Sequence, residues 1–126
     1  MAVTNPYMQY NQSKILTASP AELTLMLYEG AVKFGNMATM AMEKKDIQKA
    51  SDNIKKVRRI IEELNNTLDM KYPVSKDFER VYQYILLRLV DANVSKDPKI
   101  MEEVVDHIRS MRDNWKEVMD RTKGHK

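Results

Sequence analysis

The sequence predicts an all-α protein, an antiparallel up-down-up-down four-helix bundle with a mobile N-terminal arm. Only 3 glycines and 4 prolines interrupt its 126 residues, so long helices are available. Apolar residues recur at steps of three and four rather than in alternation, which is the helical period. The connections between the periodic segments are only a few residues long, which makes consecutive helices antiparallel neighbours. We therefore expect an arm over residues 1–18 and one helical domain over 19–126.

The first helix is predicted at approximately 19–43, and its start is the clearest local signal in the chain. Ser19 can cap the first turn, Pro20 at the first helical position loses no needed N–H, and Glu22 can bond back to the Ser19 amide. The residues that follow are apolar around most of the helix circumference. That pattern is typical of a helix covered on two sides.

The other three helices are predicted at approximately 46–70, 75–94 and 97–122. The second and fourth carry apolar seams with alternating steps of three and four, as in antiparallel bundle packing. The third has a broader apolar face. The expected capping residues are Asp46, Ser75 and Asp97.

Composition excludes several classes of protein. Lys and Arg outnumber Asp and Glu by 21 to 18, a net charge of +3 that is too mild to indicate a nucleic-acid partner. The best basic cluster, around residues 55–59, ends within two helical turns and is interpreted as a solvated helix face. The absence of cysteine excludes a disulfide framework. No long apolar run or leader pattern is present, so we expect a cytoplasmic protein without membrane insertion.

The sequence offers no catalytic machinery. Di-iron bundles need Glu-x-x-His pairs on facing helices, whereas here His107 follows Glu103 by four residues and the other histidine, His125, lies near the end of the chain. No glycine-rich phosphate loop or nucleophile elbow occurs. We therefore predict no enzyme activity, no cofactor and no metal.

The sequence contains more apolar residues than the core of one bundle can bury. Met37, Tyr84 and Leu87 have no evident place in it, and the polar arm carries further apolar side chains. Either the arm or a second copy of the chain covers this surface, or it forms a groove for a segment of a partner. Composition alone leaves these alternatives open.

Five stretches then resemble the family of the flagellar secretion chaperone FliS. They are NPY at 5–7, TASPAELTLMLYEGA at 17–31, IIEELN at 60–65, RLVDAN at 88–93 and RDNW at 112–115. The resemblance implies a bacterial cytosolic chaperone that binds the disordered C-terminal segment of flagellin in apolar grooves. It implies that this binding prevents premature polymerisation, and that the cargo is delivered to the flagellar type III export gate.

The resemblance also implies that the arm can occupy the same grooves when flagellin is absent. The expected groove involves the third helix and the exposed side of the first helix. A self-associating bundle without flagellin cargo, forming a weak homodimer, is the alternative. The expected arm and flagellin-binding residues are Tyr7, Tyr10, Ile15, Leu16, Leu27, Tyr28, Ala31, Tyr82, Ile85, Leu86 and Leu89.

Overall fold

A computed structural model describes residues 18–123, and these form four helices without a strand. The helices are α1 (Pro20–Glu43), α2 (Ile47–Asn66), α3 (Val74–Ser95) and α4 (Pro98–Lys123). α1 packs against α2 and α4, and α3 packs against the same two helices from the other side. The predicted antiparallel four-helix bundle is confirmed.

Local capping chemistry explains where three helices begin. The Ser19 hydroxyl accepts from the Glu22 amide and the Glu22 carboxylate accepts from the Ser19 amide, so the predicted capping box is present. The Asp46 carboxylate accepts from the Lys49 amide at the start of α2. The corresponding cap of α4 is Asp97, whose carboxylate accepts from the amide two residues on.

The connection between α2 and α3 differs from the expectation. α2 ends at Asn66, four residues before the predicted end, because Thr67 turns its hydroxyl back to the Leu64 carbonyl. The expected role of Ser75 as the cap of α3 is wrong. Pro73 holds the N-cap position without a side-chain bond, and the buried Ser75 hydroxyl donates to the Asp69 carbonyl at 2.6 Å. That bond fastens the connection onto the bundle.

The core contains residues of all four helices, and α1 and α4 approach each other closely at Gly35. A Cβ atom added at Gly35 of α1 would lie 2.5 Å from Val105 Cγ2 of α4, so glycine permits this close helix approach. The largest side chains with almost no exposed surface come from all four helices. They are Tyr28, Val57, Ile61, Leu64, Tyr82, Ile85, Leu89, Met101, Val104, Val105 and Ile108.

Candidate functional site

An apolar pocket opens at one end of the bundle, and we call it the open-end pocket. It has a volume of about 610 Å³. The start of α1, the end of α2, the start of α3 and the end of α4 all contribute to it, together with the connection between α2 and α3. It is lined by Thr24, Tyr28, Leu64, Thr67, Leu68, Asp69, Tyr72, Val74, Ser75, Phe78, Tyr82, Trp115 and Val118.

Two of the most buried lining residues are tyrosines whose hydroxyl groups form a hydrogen bond with each other. Tyr28 on α1 is 1% exposed and Tyr82 on α3 is 2% exposed, so the bond crosses the bundle diagonally beneath the pocket. Each phenol hydroxyl gives the other the hydrogen-bond partner that a buried hydroxyl needs. The inner end of the pocket therefore combines aromatic surface with a satisfied polar pair.

Burial raises the pKa of both phenols above the ordinary tyrosine value, and for Tyr82 the neighbouring Tyr28 adds to the effect. A raised pKa means that the folded state holds its phenol protons more strongly than the unfolded chain does. The pair's contribution to the free energy of unfolding is therefore complete below about pH 10. It declines as the pH rises above that value.

Trp115 closes one side of the pocket and fastens α4 to the start of α1. Its indole Nε1–H donates to the Ala21 carbonyl at 3.0 Å. That carbonyl lies in the first turn of α1, close to the capping box. The indole N–H thus has a structural role, and Trp115 also contributes surface to the pocket.

The pocket rim is apolar and open to solvent. Tyr72 is 60% exposed, Val74 51% and Val118 44%. Phe78 and Leu68 lie deeper, partly buried against the core. Exposed apolar side chains around a concavity mark a binding surface more often than an inert one.

The structure separates the predicted binding residues into three groups. Tyr28 and Tyr82 line the open-end pocket. Leu27 and Leu86 are partly buried and pack against the core. The interior of the bundle holds Ala31, Ile85 and Leu89, each 0–1% exposed. The arm residues Tyr7, Tyr10, Ile15 and Leu16 lie outside the described residues.

Sequence reasoning missed most of the pocket. Helical spacing includes Trp115 in the apolar seam of the fourth helix and Phe78 among the apolar positions of the third, and it sets neither apart as a pocket residue. Their positions near helix ends that meet at one end of the bundle were the available signal. Tyr72 and Val74 belong to a short connection, and helical spacing carries no information about the direction of such side chains.

Apolar side chains also lie on the solvent side of α3, and we call them the α3 stripe. Leu87 is 67% exposed, Val90 56% and Val94 83%. Their helix positions place them opposite the core residues Ile85 and Leu89. The stripe is the second surface that an apolar partner could contact.

Beside this stripe, a cluster of polar side chains joins α3 to α4. Tyr84 donates to Glu103 at 2.6 Å and Arg88 donates to the other carboxylate oxygen at 2.9 and 3.1 Å. The Tyr84 hydroxyl, followed by Arg88, lowers the pKa of Glu103. His107 lies 3.4 Å from the same carboxylate and edge-on to the Tyr84 ring. Because several side chains bond to the Glu103 carboxylate, we interpret this cluster as a structural link between α3 and α4.

Other functional chemistry finds no support in the part of the chain that the structure describes. No group of three or more His, Cys, Asp or Glu side chains between residues 18 and 123 is placed to hold a metal ion. None of the four helices is both long and apolar enough to span a bilayer. In the basic cluster of α2, Lys56 lies 5.1 Å from the centre of the Phe34 ring, a cation–π contact within the bundle.

Comparisons with known proteins agree on one family. A family model described as Flagellar protein FliS matches residues 3–122. The flagellar secretion chaperone FliS of Bacillus subtilis is 40% identical over 119 residues, which cover 94% of this chain and 90% of that protein. The protein of the same name from Escherichia coli is 30% identical over 118 residues, covering 90% and 87%.

A solved structure titled as a crystal structure of a flagellar chaperone from bacteria shares the fold. Its TM-score is 0.75 at 19% sequence identity, with 91% of this chain and 95% of that chain covered. At this identity the likeness supports the four-helix architecture alone.

Proposed function

The chain belongs to the FliS family of flagellar proteins, and we propose that it is a flagellar secretion chaperone whose cargo is flagellin. In this proposal it acts in the bacterial cytosol without catalysing a reaction. It binds the disordered C-terminal segment of flagellin, prevents premature polymerisation and delivers the cargo to the flagellar type III export gate. The open-end pocket is the observation that carries the proposal, because it is a large apolar concavity without a covering element among residues 18–123.

Energetics support an apolar site for a disordered cargo. Ordering a segment on binding costs about 2–5 kcal/mol or more of the interaction energy. Burial of apolar surface contributes roughly 25 cal/mol per Å². A pocket that accepts several apolar side chains offsets that cost.

The polar side chains at the pocket are satisfied within the protein, which suits an apolar segment. The Asp69 carboxylate accepts from the Lys71 amide at 3.0 Å, and the hydroxyls of Thr24 and Thr67 donate to helix carbonyls. These groups are already paired within the protein. A bound segment therefore meets mainly apolar surface, without unsatisfied polar groups to match.

A pull-down with three forms of flagellin tests this function. We expect this protein to retain full-length flagellin and a flagellin lacking its N-terminal segment, because neither change removes the proposed cargo segment. A flagellin lacking its C-terminal segment should be lost. Equal retention of the C-terminally truncated form would contradict the proposed mode of binding.

We propose that the arm, residues 1–18, covers the open-end pocket when flagellin is absent. α1 begins at Pro20 at the same end of the bundle as the pocket, so the preceding chain enters there. Its eighteen residues can span up to about 59 Å at roughly 3.3 Å each, which is ample reach. A tethered segment competes at an effective concentration in the millimolar range for short flexible links.

Deletion of residues 1–16 should therefore tighten flagellin binding several-fold by removing a tethered competitor. The helical circular dichroism signal and the cooperative melting should remain, because the deletion ends before the capping box at Ser19. Titration calorimetry with a C-terminal flagellin fragment measures the affinity. An unfolded truncated protein, or one with unchanged affinity, would count against the covering role.

The α3 stripe favours one alternative, a self-associating bundle that forms a weak homodimer. Sedimentation at increasing protein concentration, with and without flagellin, separates the two. Self-association that flagellin leaves unchanged would favour the alternative.

A further inference from the structure

The end of the bundle opposite the open-end pocket carries a second cavity. The connection between α1 and α2 meets the connection between α3 and α4 there. A cavity of about 230 Å³ lies between them, and its apolar walls are Met42, Ile47, Ala50 and Pro98. Ile47 is 64% exposed, so the apolar lining reaches the surface. We call this region the basic tip because of the charges around it.

Lysines outnumber carboxylates at the basic tip. The acidic residues there are Glu43, Asp46 and Asp97, and the last two use a carboxylate oxygen to cap a helix. No ion pair within residues 18–123 involves any lysine of the tip. These lysines are Lys44, Lys45, Lys49, Lys96 and Lys99.

Two of these lysines occupy backbone positions that favour glycine. Lys45 has φ 63° and Lys96 has φ 56°, the left-handed region that costs an L residue energy. Lys45 is the left-handed residue of a Schellman motif: its amide bonds to the Met42 carbonyl, and the next amide bonds to Ala41 at 2.8 Å. Glycine would satisfy the same backbone at lower cost. Lysine at these two positions therefore lowers the stability of the fold relative to glycine.

We propose that the basic tip binds an acidic protein segment that places one apolar side chain in the 230 Å³ cavity. Lys45 and Lys96 line the cavity beside its apolar walls, together with Glu43 and Ser95. The excess of lysines over carboxylates around this opening selects for negative charge flanking an aliphatic group. A nucleic acid would instead need basic residues that continue along one face to follow its phosphates. The cavity also distinguishes the tip from a flat basic surface that contacts a membrane.

The basic tip is separate from the proposed flagellin site. α1 has 24 residues, so about 36 Å separates its two ends at 1.5 Å per residue. The two sites thus lie at opposite ends of the same bundle. An acidic partner could bind at the tip while cargo occupies the open-end pocket, and loss of one interaction would leave the other measurable.

Fluorescence anisotropy with a synthetic peptide tests the proposal. The probe is a labelled twelve-residue peptide of glutamates with two central leucines, and its matched control replaces the leucines with serine. We expect the leucine peptide to bind the full chain at least tenfold more tightly than the serine peptide. Equal affinity for both peptides would overturn the role of the cavity.

Charge variants locate the site. The double variant Lys45→Glu/Lys49→Glu should weaken peptide binding at least tenfold and leave flagellin binding unchanged. Its matched control, Lys71→Glu/Lys76→Glu, makes the same charge change at exposed positions of the other end and should alter peptide affinity less than threefold. Equal loss in both double variants would show general charge attraction and overturn the proposal.

A further variant separates binding from structure. Lys45→Gly should raise the denaturant midpoint, because glycine suits φ 63°, while it weakens peptide binding about threefold or more. A stabilised variant with undiminished affinity would remove Lys45 from the site. Anionic vesicles or a homopolymeric RNA that bind the tip more tightly than the leucine peptide, with the same lysine dependence, would also overturn the proposal.

Discussion

Replacement of Val74 by glutamate should reduce the affinity for a C-terminal flagellin fragment tenfold or more. Val74 lies on the rim of the open-end pocket and is 51% exposed. A carboxylate at this position must lose water when an apolar segment enters, and an unpaired charge is costly to desolvate. A tenfold loss corresponds to about 1.4 kcal/mol.

The substitution should leave the fold intact. Val74 is the first residue of α3, and an acidic side chain in the first turn interacts favourably with the helix dipole. Circular dichroism and a denaturation curve check this. Titration calorimetry with the flagellin fragment measures the affinity.

Val94→Glu is the matched control for Val74→Glu. It makes the same change on the same helix, at an exposed position near the other end. We expect its flagellin affinity to stay within about threefold of the unchanged protein. Equal loss of flagellin affinity in both variants would assign the main flagellin contact to the α3 stripe and not to the pocket.

Removal of one hydroxyl from the buried tyrosine pair should destabilise the bundle more than removal of both. Tyr28→Phe or Tyr82→Phe leaves the partner hydroxyl without its bond in a site that is 1–2% exposed. An unsatisfied buried group costs about 1–3 kcal/mol. The double phenylalanine variant has no unsatisfied hydroxyl and should lose less stability than either single variant.

Urea denaturation of the four proteins gives this comparison as a double-mutant cycle. A coupling energy of about 1 kcal/mol or more is expected. The pH dependence of stability provides a control. Between pH 9 and 11 the free energy of unfolding of the double variant should fall less than that of the unchanged protein. Single effects that simply add in the double variant would contradict an isolated, mutually satisfied pair.

The fold could be predicted because local chemistry and helical period agree along most of the chain. Ser19, Asp46 and Asp97 each carry a side-chain oxygen at the residue where a helix begins. Ser75 shows the limit of this reasoning. Its hydroxyl bonds to the Asp69 carbonyl across the connection, and only the folded path of that connection brings the two groups together.

The candidate site could be predicted only in part. Tyr28 and Tyr82 were expected at the binding surface, and the structure places them at the inner end of the pocket. Ile85 and Leu89 share the helical spacing of surface candidates, yet they lie in the interior. Periodicity gives the apolar faces of a helix, but which face meets a neighbour depends on how all four helices pack.

Trp115 fluorescence tests the central claim most directly, since it is the chain's single tryptophan and lines the open-end pocket. Titration with a tryptophan-free C-terminal flagellin fragment should shift its emission to shorter wavelength and saturate at the affinity that calorimetry gives. The shift reports water leaving the indole as the segment enters. Binding detected by calorimetry with unchanged Trp115 emission would contradict the assignment of flagellin to this pocket.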